Sequence, residues 1–231
     1  MPNPITPVSY VLVDIEGTTT SVSFVYEVLF PYFSAHFRAY ARTHETDPGF
    51  QAQIADVQHT VAAETGHAID PEQAVETLLE WCKTDRKHTA LKNLQGDVWH
   101  QGYLNGELKG HIYPDVPPAL ERWKNQGKRM GIYSSGSVDA QKLLFGHSEA
   151  GNLLPYFDHH FDTRVGHKRE VESYRRIAET LDLSPENILF LSDVEAELDA
   201  ASDAGFQTIH IVRPGTQPGQ KHRTATDFNA L

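Results

Sequence analysis

The chain has 231 residues, enough for one large domain or two small ones, and its 39% hydrophobic and 22% charged residues are typical of a globular protein. The formal net charge is -11 and no run of lysines or arginines stands out, which argues against broad electrostatic binding to nucleic acid or an anionic membrane. An acidic chain of this kind can hold a phosphorylated substrate only with local help from a metal ion or a well-placed cation.

Cysteine content and the N-terminal sequence predict the compartment. Cys82 is the single cysteine, so an intramolecular disulfide is excluded, and its place within a helical pattern favours a packing role. Residues 1–4 lack the basic and apolar regions of a signal peptide. No apolar stretch approaches the length needed to span a bilayer. We therefore expect a cytoplasmic protein.

The first predicted element is a buried strand over residues 8–13, a short apolar and β-branched run that leads into Asp14. From about Ser23 to Gly106 helical patterns dominate, separated by proline and glycine turn signals. The helices predicted in this block span residues 26–42, 51–63, 71–83 and 89–106.

After Pro114 strands and helices alternate, which is typical of a parallel sheet covered on both faces. The predicted strands are 129–134, about 160–162, 188–192 and 207–212, and the predicted helices are 118–126, 137–145, 170–181 and 195–204. Because the sheet begins before the helical block and resumes after it, the block is an insertion. We expect an α/β core of residues 1–22 and 113–231, an inserted helical domain of residues 23–112, and a surface segment from Arg213 onward.

Polar residues follow three of the predicted strands. In an open α/β sheet ligands bind beyond the carboxyl ends of the strands, so these residues are expected to meet at one edge. Lys168, near the start of a predicted helix, adds a cation. The residues at the strand ends are Asp14 with Glu16, Ser134 with Ser135, and Asp193.

These residue types suit phosphoryl transfer. A carboxylate such as Asp14 can attack phosphorus if a metal ion neutralises the charge between the two anions. Magnesium prefers oxygen ligands and keeps several waters, so Asp14 and Asp193 could suffice. Glu16 lies two residues after Asp14. Because residues two apart at a strand end point the same way, Glu16 could donate a proton to the leaving oxygen. Amides after Ser135 at a helix start suit phosphate oxygens, and Lys168 supplies the cation.

Each signal also has a structural explanation. An aspartate at a strand end is most often a turn or capping residue, a Ser-Ser-Gly-Ser run is usually a loop and helix cap, and most lysines are solvated. The prediction of a magnesium-dependent phosphatase rests on four signals that occur in a consistent order at one sheet edge.

Other candidate residues favour structural roles. His159 and His160 are adjacent on a strand and face opposite ways, which disfavours a metal pair. Glu197 belongs to an acidic run that indicates a solvated helix face, although its side chain could reach water bound to the magnesium ion. The aromatic residues expected to pack in the helical block are Trp81, Trp99 and Tyr103.

Four segments of the chain resemble, in order, the four motifs of the haloacid dehalogenase superfamily. They are Asp14-x-Glu16-Gly17-Thr18, Ser134-Ser135, Lys168 and Ser192-Asp193. That superfamily usually has a second aspartate where this chain has Glu16. Glu16 at this position and the long matching segment 133–147 make the chain similar to one family of the superfamily, the enolase-phosphatases of methionine salvage. The resemblance extends from Val11 to Gly215 and is thin between His44 and Pro71. Further matching segments are 14–20, 29–32, 85–87, 94–96, 161–163, 166–168 and 212–215.

The resemblance implies a doubly wound, Rossmann-like parallel sheet with an inserted helical cap, in a monomer. It implies the substrate 2,3-diketo-5-methylthiopentyl 1-phosphate, which is enolised and then dephosphorylated to the acireductone. It also implies one magnesium ion per chain, bound by Asp14, Asp193 and residue Glu16, the last through its backbone carbonyl. The implied substrate contacts are Ser134, Ser135 and Lys168. The longer reach of Glu16 makes chemical sense for the enolase step, but the identity of that base stays open.

Two alternatives remain at this stage. The first is a general haloacid dehalogenase-type phosphatase acting on a small sugar phosphate or glycolate phosphate. A broad panel of substrates would distinguish it, since it would form no enediol. A receiver-like signalling domain, phosphorylated on Asp14 by a partner, would be non-catalytic. The inserted helical block argues against it, because a receiver has no need of a lid.

Overall fold

In a computed structural model of the chain, which describes residues 7–229 and 231, the backbone forms two compact units. One unit contains the chain up to Val22 together with Lys109–Leu231, and the other is Ser23–Leu108. Residues 1–4, which bear on the signal-peptide prediction, lie outside the described residues. Over the residues that are described, no helix has the length and apolarity that a membrane crossing requires.

The first unit is built on a parallel sheet in the order β3-β2-β1-β4-β5-β6. The central strands β1 and β4 are buried along their whole length, as apolar strands covered on both faces must be. This six-stranded α/β architecture confirms the predicted fold class. The strands are β1 Tyr10–Val13, β2 Arg129–Tyr133, β3 His159–Phe161, β4 Ile188–Ser192, β5 Gln207–Ile211 and β6 Arg223–Ala225.

Helices α6–α9 connect these strands, and their apolar faces form the core with the sheet. Tyr133, Tyr174 and Phe190 pack ring against ring between β2, β4 and the helix that follows β3. Ser137 caps the helix after β2 by accepting a hydrogen bond from the Ala140 amide. The four helices are α6 Val116–Asn125, α7 Val138–Gly146, α8 Val171–Leu181 and α9 Glu195–Asp203.

The second unit is helical and has its own core, which includes the buried Cys82, as its sequence pattern predicts. Trp81 and Tyr103 are also buried, whereas Trp99 is half-buried and donates to the Leu29 carbonyl. Asp70 and Gln73 form a reciprocal capping box at the start of α4. The helices are α1 Val22–Phe24, α2 Phe30–Thr43, α3 Pro48–Thr65, α4 Pro71–Lys83 and α5 Thr89–Leu104.

Two sequence predictions are wrong in detail. The single helix predicted from Tyr26 is instead a π-helical turn, Val25–Leu29, followed by α2. Pro31 has no backbone N–H to donate to the carbonyl four residues earlier, and the Phe30 amide bonds to the Val25 carbonyl in the wider π pattern.

The second wrong prediction is that the chain from Arg213 onward is only a surface segment. This segment adds β6 to the sheet, and Phe228 is fully buried against Trp123. Arg213 is also buried and forms a bidentate ion pair with Asp115, with both N–O distances at 2.8 Å. A polar three-residue strand has too little periodicity to be predicted, and the ion pair joins residues distant in the sequence.

Candidate active site

The predicted polar residues meet at the centre of the sheet. β1 lies between β2 and β4, at the point where the strand order reverses, and ligands of doubly wound sheets bind at such a point. Asp14 follows β1, Ser134 follows β2, and Asp193 follows β4. Within the sheet-containing unit, the candidate site is therefore assembled by the fold at the position that the sequence indicates.

Asp14 is buried and held by several donors. Its Oδ1 atom accepts a hydrogen bond of 2.7 Å from the Ile15 amide and lies 2.5 Å from the Lys168 Nζ. Its Oδ2 atom has a longer contact, 3.4 Å, with the Ser192 hydroxyl. The exposed fraction of the residue is 3%, so the carboxylate has a fixed orientation and little solvent around it. A fixed, poorly solvated carboxylate of this kind is suited to act as a nucleophile.

Lys168 lies between two carboxylates, with its Nζ 2.6 Å from Glu197 Oε2 in addition to its contact with Asp14. Burial opposes the positive charge, but the two carboxylates more than offset that effect and raise the pKa of the Lys168 amine. The backbone is held as well, since the Tyr174 hydroxyl donates to the Lys168 carbonyl at 2.6 Å. Lys168 lies in the turn before α8 rather than within the helix, which begins at Val171.

The loop after β1 brings Glu16 towards β2. The Ser134 hydroxyl is 3.4 Å from Glu16 Oε2 and itself accepts from the Gly136 amide at 3.0 Å. Burial raises the pKa of the Glu16 carboxyl, and the negative charge of Asp14 raises it further. A carboxyl that keeps its proton to higher pH is the kind of group that can act as a general acid. Ser135, the next residue along from Ser134, is exposed.

Asp193 lies against the same loop. Gly17 has a φ of +73°, and a Cβ atom built there would be 2.1 Å from Asp193 Oδ2, so only glycine permits this approach. Burial raises the pKa of the Asp193 carboxyl to about 7, and the neighbouring Asp14 contributes to the rise. The two carboxylates therefore repel each other in a site partly shielded from solvent, and a cation would relieve that repulsion.

The donor chemistry fits magnesium. Among the described residues, histidine, cysteine and acidic side chains do not form a group of three that could hold a metal ion by themselves. Asp14 and Asp193 nevertheless offer oxygen donors only, and magnesium needs few protein carboxylates because it keeps several of its waters. The Glu16 carbonyl as a third donor remains a prediction.

Glu197 is the residue whose role was underestimated from sequence. It was expected on a solvated helix face, but it is buried and contacts both Lys168 and the Ser192 hydroxyl, the latter at 2.9 Å. Its position in the first turn of α9, directly after the strand end that bears Asp193, is the signal that could have identified it. Burial, followed by the charge of Asp14, raises the pKa of its carboxyl.

Comparisons with known proteins agree with this geometry. The family described as haloacid dehalogenase-like hydrolase matches residues 8–205. The chain is 52% identical over 224 residues to the enolase-phosphatase E1 of Picosynechococcus sp., across 97% of this chain and 98% of that protein. It is 53% identical over 206 residues to the enolase-phosphatase E1 of Pseudomonas aeruginosa, across 89% and 90% of the two chains.

A solved structure is similar over its whole length. The UTR4 protein from Saccharomyces cerevisiae superposes with a TM-score of 0.82 at 36% identity, covering 97% of this chain and all of that one. The relatives match the helical unit as well as the sheet, since the aligned regions span nearly the full chain. The chain therefore belongs to the haloacid dehalogenase-like hydrolases and, within them, to the enolase-phosphatase E1 family.

Proposed function

We propose that this protein is an acireductone synthase that enolises 2,3-diketo-5-methylthiopentyl 1-phosphate and then removes its phosphate in methionine salvage. The family membership supports the pair of reactions, since relatives named enolase-phosphatase E1 are about half identical to it. The observation that carries the proposal is the buried Asp14 carboxylate, held by Lys168 at 2.5 Å at the reversal point of the sheet. The receiver-like alternative is set aside, because the family is one of hydrolases.

Asp14 is the proposed nucleophile. A carboxylate oxygen forms a bond to phosphorus while the bond between phosphorus and the substrate oxygen breaks, which gives an aspartyl-phosphate. Water then attacks phosphorus, releasing inorganic phosphate and restoring the carboxylate. Lys168 is proposed to offset the negative charge that approaches Asp14, and its compact ammonium already lies within contact distance of that carboxylate.

Glu16 is the proposed proton carrier of the phosphatase step. Its raised pKa favours the protonated form, which can give a proton to the departing oxygen and afterwards accept one from the attacking water. The Ser134 hydroxyl contacts the same carboxyl at 3.4 Å and helps to fix its direction. We also assign Glu16 as the candidate base for enolisation, because its side chain is one methylene longer than the usual aspartate of the superfamily.

A single magnesium ion is proposed to bind Asp14, Asp193 and the Glu16 carbonyl. Enolase-phosphatases of this superfamily are magnesium-dependent as a class, and the all-oxygen donor set of the chain is compatible with that ion. When bound, it would neutralise charge between the phosphate and Asp14 and stabilise an enolate oxygen. Ser134, Ser135 and Lys168 are the proposed substrate contacts.

The helical unit is proposed to serve as a cap, and the protein to act as a monomer. The unit follows the loop that bears Glu16 in the sequence, and the chain returns to the sheet-containing unit at Lys109. The compact unit Ser23–Leu108 is contiguous in sequence and has its own core, which is consistent with a separate cap domain. We propose residues 23–112 for that domain, which includes the connection back to the sheet-containing unit. Size-exclusion chromatography with light scattering would test the monomer.

The deciding experiment is turnover of the diketone phosphate with and without magnesium, followed by phosphate release and by the near-ultraviolet absorbance of the enediol. We expect both signals, and we expect both to require the metal. Asp14→Asn should abolish phosphate release in a folded protein, because an amide is a poor nucleophile. Retention of even a tenth of the wild-type phosphate release would refute the nucleophile assignment, and hydrolysis of many phosphate esters without enediol would indicate a general phosphatase.

A further inference from the structure

A buried histidine holds the backbone of Asp193. His210 lies in β5, next to β4 in the sheet, and is only 2% exposed. Its Nε2 atom is 2.9 Å from the Asp193 carbonyl oxygen, and its Nδ1 atom is 3.2 Å from the Gly219 amide nitrogen. The imidazole therefore connects the end of β4 to the segment that follows β5.

Both hydrogen-bond partners fix the position of the ring proton. The Gly219 amide can only donate, so His210 Nδ1 must accept and carries no hydrogen. The Asp193 carbonyl can only accept, so Nε2 must carry the hydrogen and donate it. The ring consequently has a single productive orientation and a single tautomer, which gives the Asp193 backbone a directional contact.

The ring is in turn enclosed by residues 219–221. Glu195 Oε1 accepts from the amides of Gln220 and Lys221 at 3.0 and 3.1 Å, which fixes this segment against the start of α9. A Cβ atom at Gly219 would lie 2.8 Å from His210 Nδ1 and 2.4 Å from Glu195 Oε1. The close approach of this segment to the imidazole thus requires glycine at position 219.

We propose that His210 is a positioning residue that sets the Asp193 carboxylate for magnesium binding. The Asp193 carboxylate faces Gly17 on one side, while its backbone is held by His210 on the other. Free movement of the backbone would move the carboxylate away from Asp14, with which it shares the proposed ion. The inference rests on the proposed metal site, and it adds to that site a residue from a strand that bears none of the ligands.

Two substitutions separate the contacts of the ring. In His210→Gln the longer side chain can place an amide nitrogen where Nε2 lies and so keep the bond to Asp193. In His210→Asn the shorter side chain can place an oxygen where Nδ1 lies, which keeps the bond to Gly219 and loses the one to Asp193. Magnesium binding to the free protein is then measured by isothermal titration calorimetry, without substrate or turnover.

Partners that orient metal ligands typically account for about ten- to a hundredfold in metal affinity, so we expect His210→Asn to weaken magnesium binding about tenfold and His210→Gln less than about threefold. The matched control is His222→Asn. The ring of His222 contacts Asp199 and Thr208 instead, so its loss loosens the same segment without releasing Asp193.

Asp193→Asn separates the two proposals. If it leaves magnesium binding unchanged, the proposed metal site is wrong. If it weakens binding while folded His210→Asn binds magnesium as well as wild type, or while His222→Asn weakens binding equally, the role of His210 is overturned. Should His210→Asn fail to fold, His210→Met, which has no donor for the Asp193 carbonyl, takes its place: weaker magnesium binding than in His210→Gln supports the proposal, and equal affinity in the two variants overturns it.

Discussion

At Lys168, one ammonium group lies between the carboxylates of Asp14 and Glu197 and within 6 Å of two aromatic rings, those of Tyr133 and Phe190. Its side chain is only 6% exposed, so these contacts are poorly screened by water. Removing one partner of a buried ion pair leaves the remaining charges without compensation. We therefore expect Lys168 to affect folding as well as the chemistry proposed for it, and a test must separate the two contributions.

We expect Lys168→Met, which keeps the length of the side chain, to lower catalytic efficiency by roughly ten- to a hundredfold, the equivalent of the 1.5–3 kcal/mol typical of a charge-assisted contact. Thermal unfolding measured in parallel shows whether the variant is folded at the assay temperature. Arginine should restore little activity, because its wide planar fork does not replace a compact charge. The control is Lys124→Met on α6, which should be neutral. Full activity of Lys168→Met would contradict the assignment.

Glu16→Asp tests the reach of the proposed proton carrier. The change withdraws the carboxyl by about 1.5 Å on covalent geometry, and a misplacement of that order can cost about a hundredfold in rate. Hydrolysis of a simple phosphate ester should survive better than turnover of the diketone phosphate, because only the latter needs enolisation. The measurement is the ratio of the two rates in variant and wild type. An unchanged ratio would assign the enolase step to another base.

Among the secondary-structure elements, the strands were easier to predict than the segments between them. β1 and β4 were predicted because a strand buried on both faces is a continuous apolar run. The π-helical turn Val25–Leu29 escaped prediction, since its apolar pattern is also that of an ordinary helix. β6 escaped because Arg223–Ala225 is short and polar, and only its pairing with β5 makes it a strand.

The contact between Gly17, in the loop after β1, and Asp193 can be tested by comparing a glycine substitution there with one at Gly127, between α6 and β2. Gly17 and Gly127 have nearly equal φ angles, +73° and +75°, but a Cβ atom meets Asp193 at Gly17 and no atom within 4 Å at Gly127. Both Gly17→Ala and Gly127→Ala should lose about 1 kcal/mol of stability from backbone strain. Gly17→Ala should lose more, because its Cβ atom also meets the Asp193 carboxylate. Only Gly17→Ala should shift the magnesium dependence of phosphate release to higher concentration. Equal shifts in both variants would show that the contact with Asp193 is unimportant.

In the sheet-containing unit as a whole, Arg213 connects distant parts of the chain. Its guanidinium donates to the Thr18 carbonyl from two nitrogens, at 3.1 and 2.9 Å, and pairs with Asp115. Asp115 also accepts from the Phe228 amide at 2.8 Å, and the guanidinium lies 4.1 Å from the centre of the Tyr113 ring. The loop after β1, beside the proposed nucleophile Asp14, is thereby fixed to the C-terminal segment that contains Phe228.

Acid should weaken this connection. Burial alone would raise the pKa of Asp115, but the hydrogen bonds from Arg213 and the Phe228 amide outweigh it and lower the pKa. The folded state then binds the proton less tightly than the unfolded state, so the stabilisation is complete at neutral pH and is lost as pH falls through the folded-state pKa. Asp115→Asn should cost about 3–5 kcal/mol at neutral pH.

The measurement is urea unfolding of wild type and Asp115→Asn at a series of pH values, and the difference between them should shrink in acid. Asp158→Asn is the control, because its ion pair with Arg129 is about half exposed and should be worth about 0–1 kcal/mol. A difference for Asp115→Asn that stays constant from neutral pH into acid would mean that ionisation of this carboxyl does not stabilise the fold.

The site was predictable to the extent that its residues follow strands. Asp14, Ser134 and Asp193 could be placed because parallel strands end at one edge of a sheet. The partners that fix them could not be placed in this way. Arg213 contacts Thr18 across 195 residues of sequence, and His210 contacts Asp193 from another strand. Such contacts depend on the packed tertiary structure, for which local periodicity contains no signal.

The position of β1 in the chain has a consequence for synthesis on the ribosome. β1 is made before both of its neighbours in the sheet, β2 at Arg129–Tyr133 and β4 at Ile188–Ser192. The helical unit, with its own core, is finished before either of them. At about 5–20 residues per second, it has seconds in which to fold while β1 is still an unpaired apolar strand. Asp14, the proposed nucleophile, is thus translated before both strands that flank β1, and it reaches its working environment only after β4 has been made.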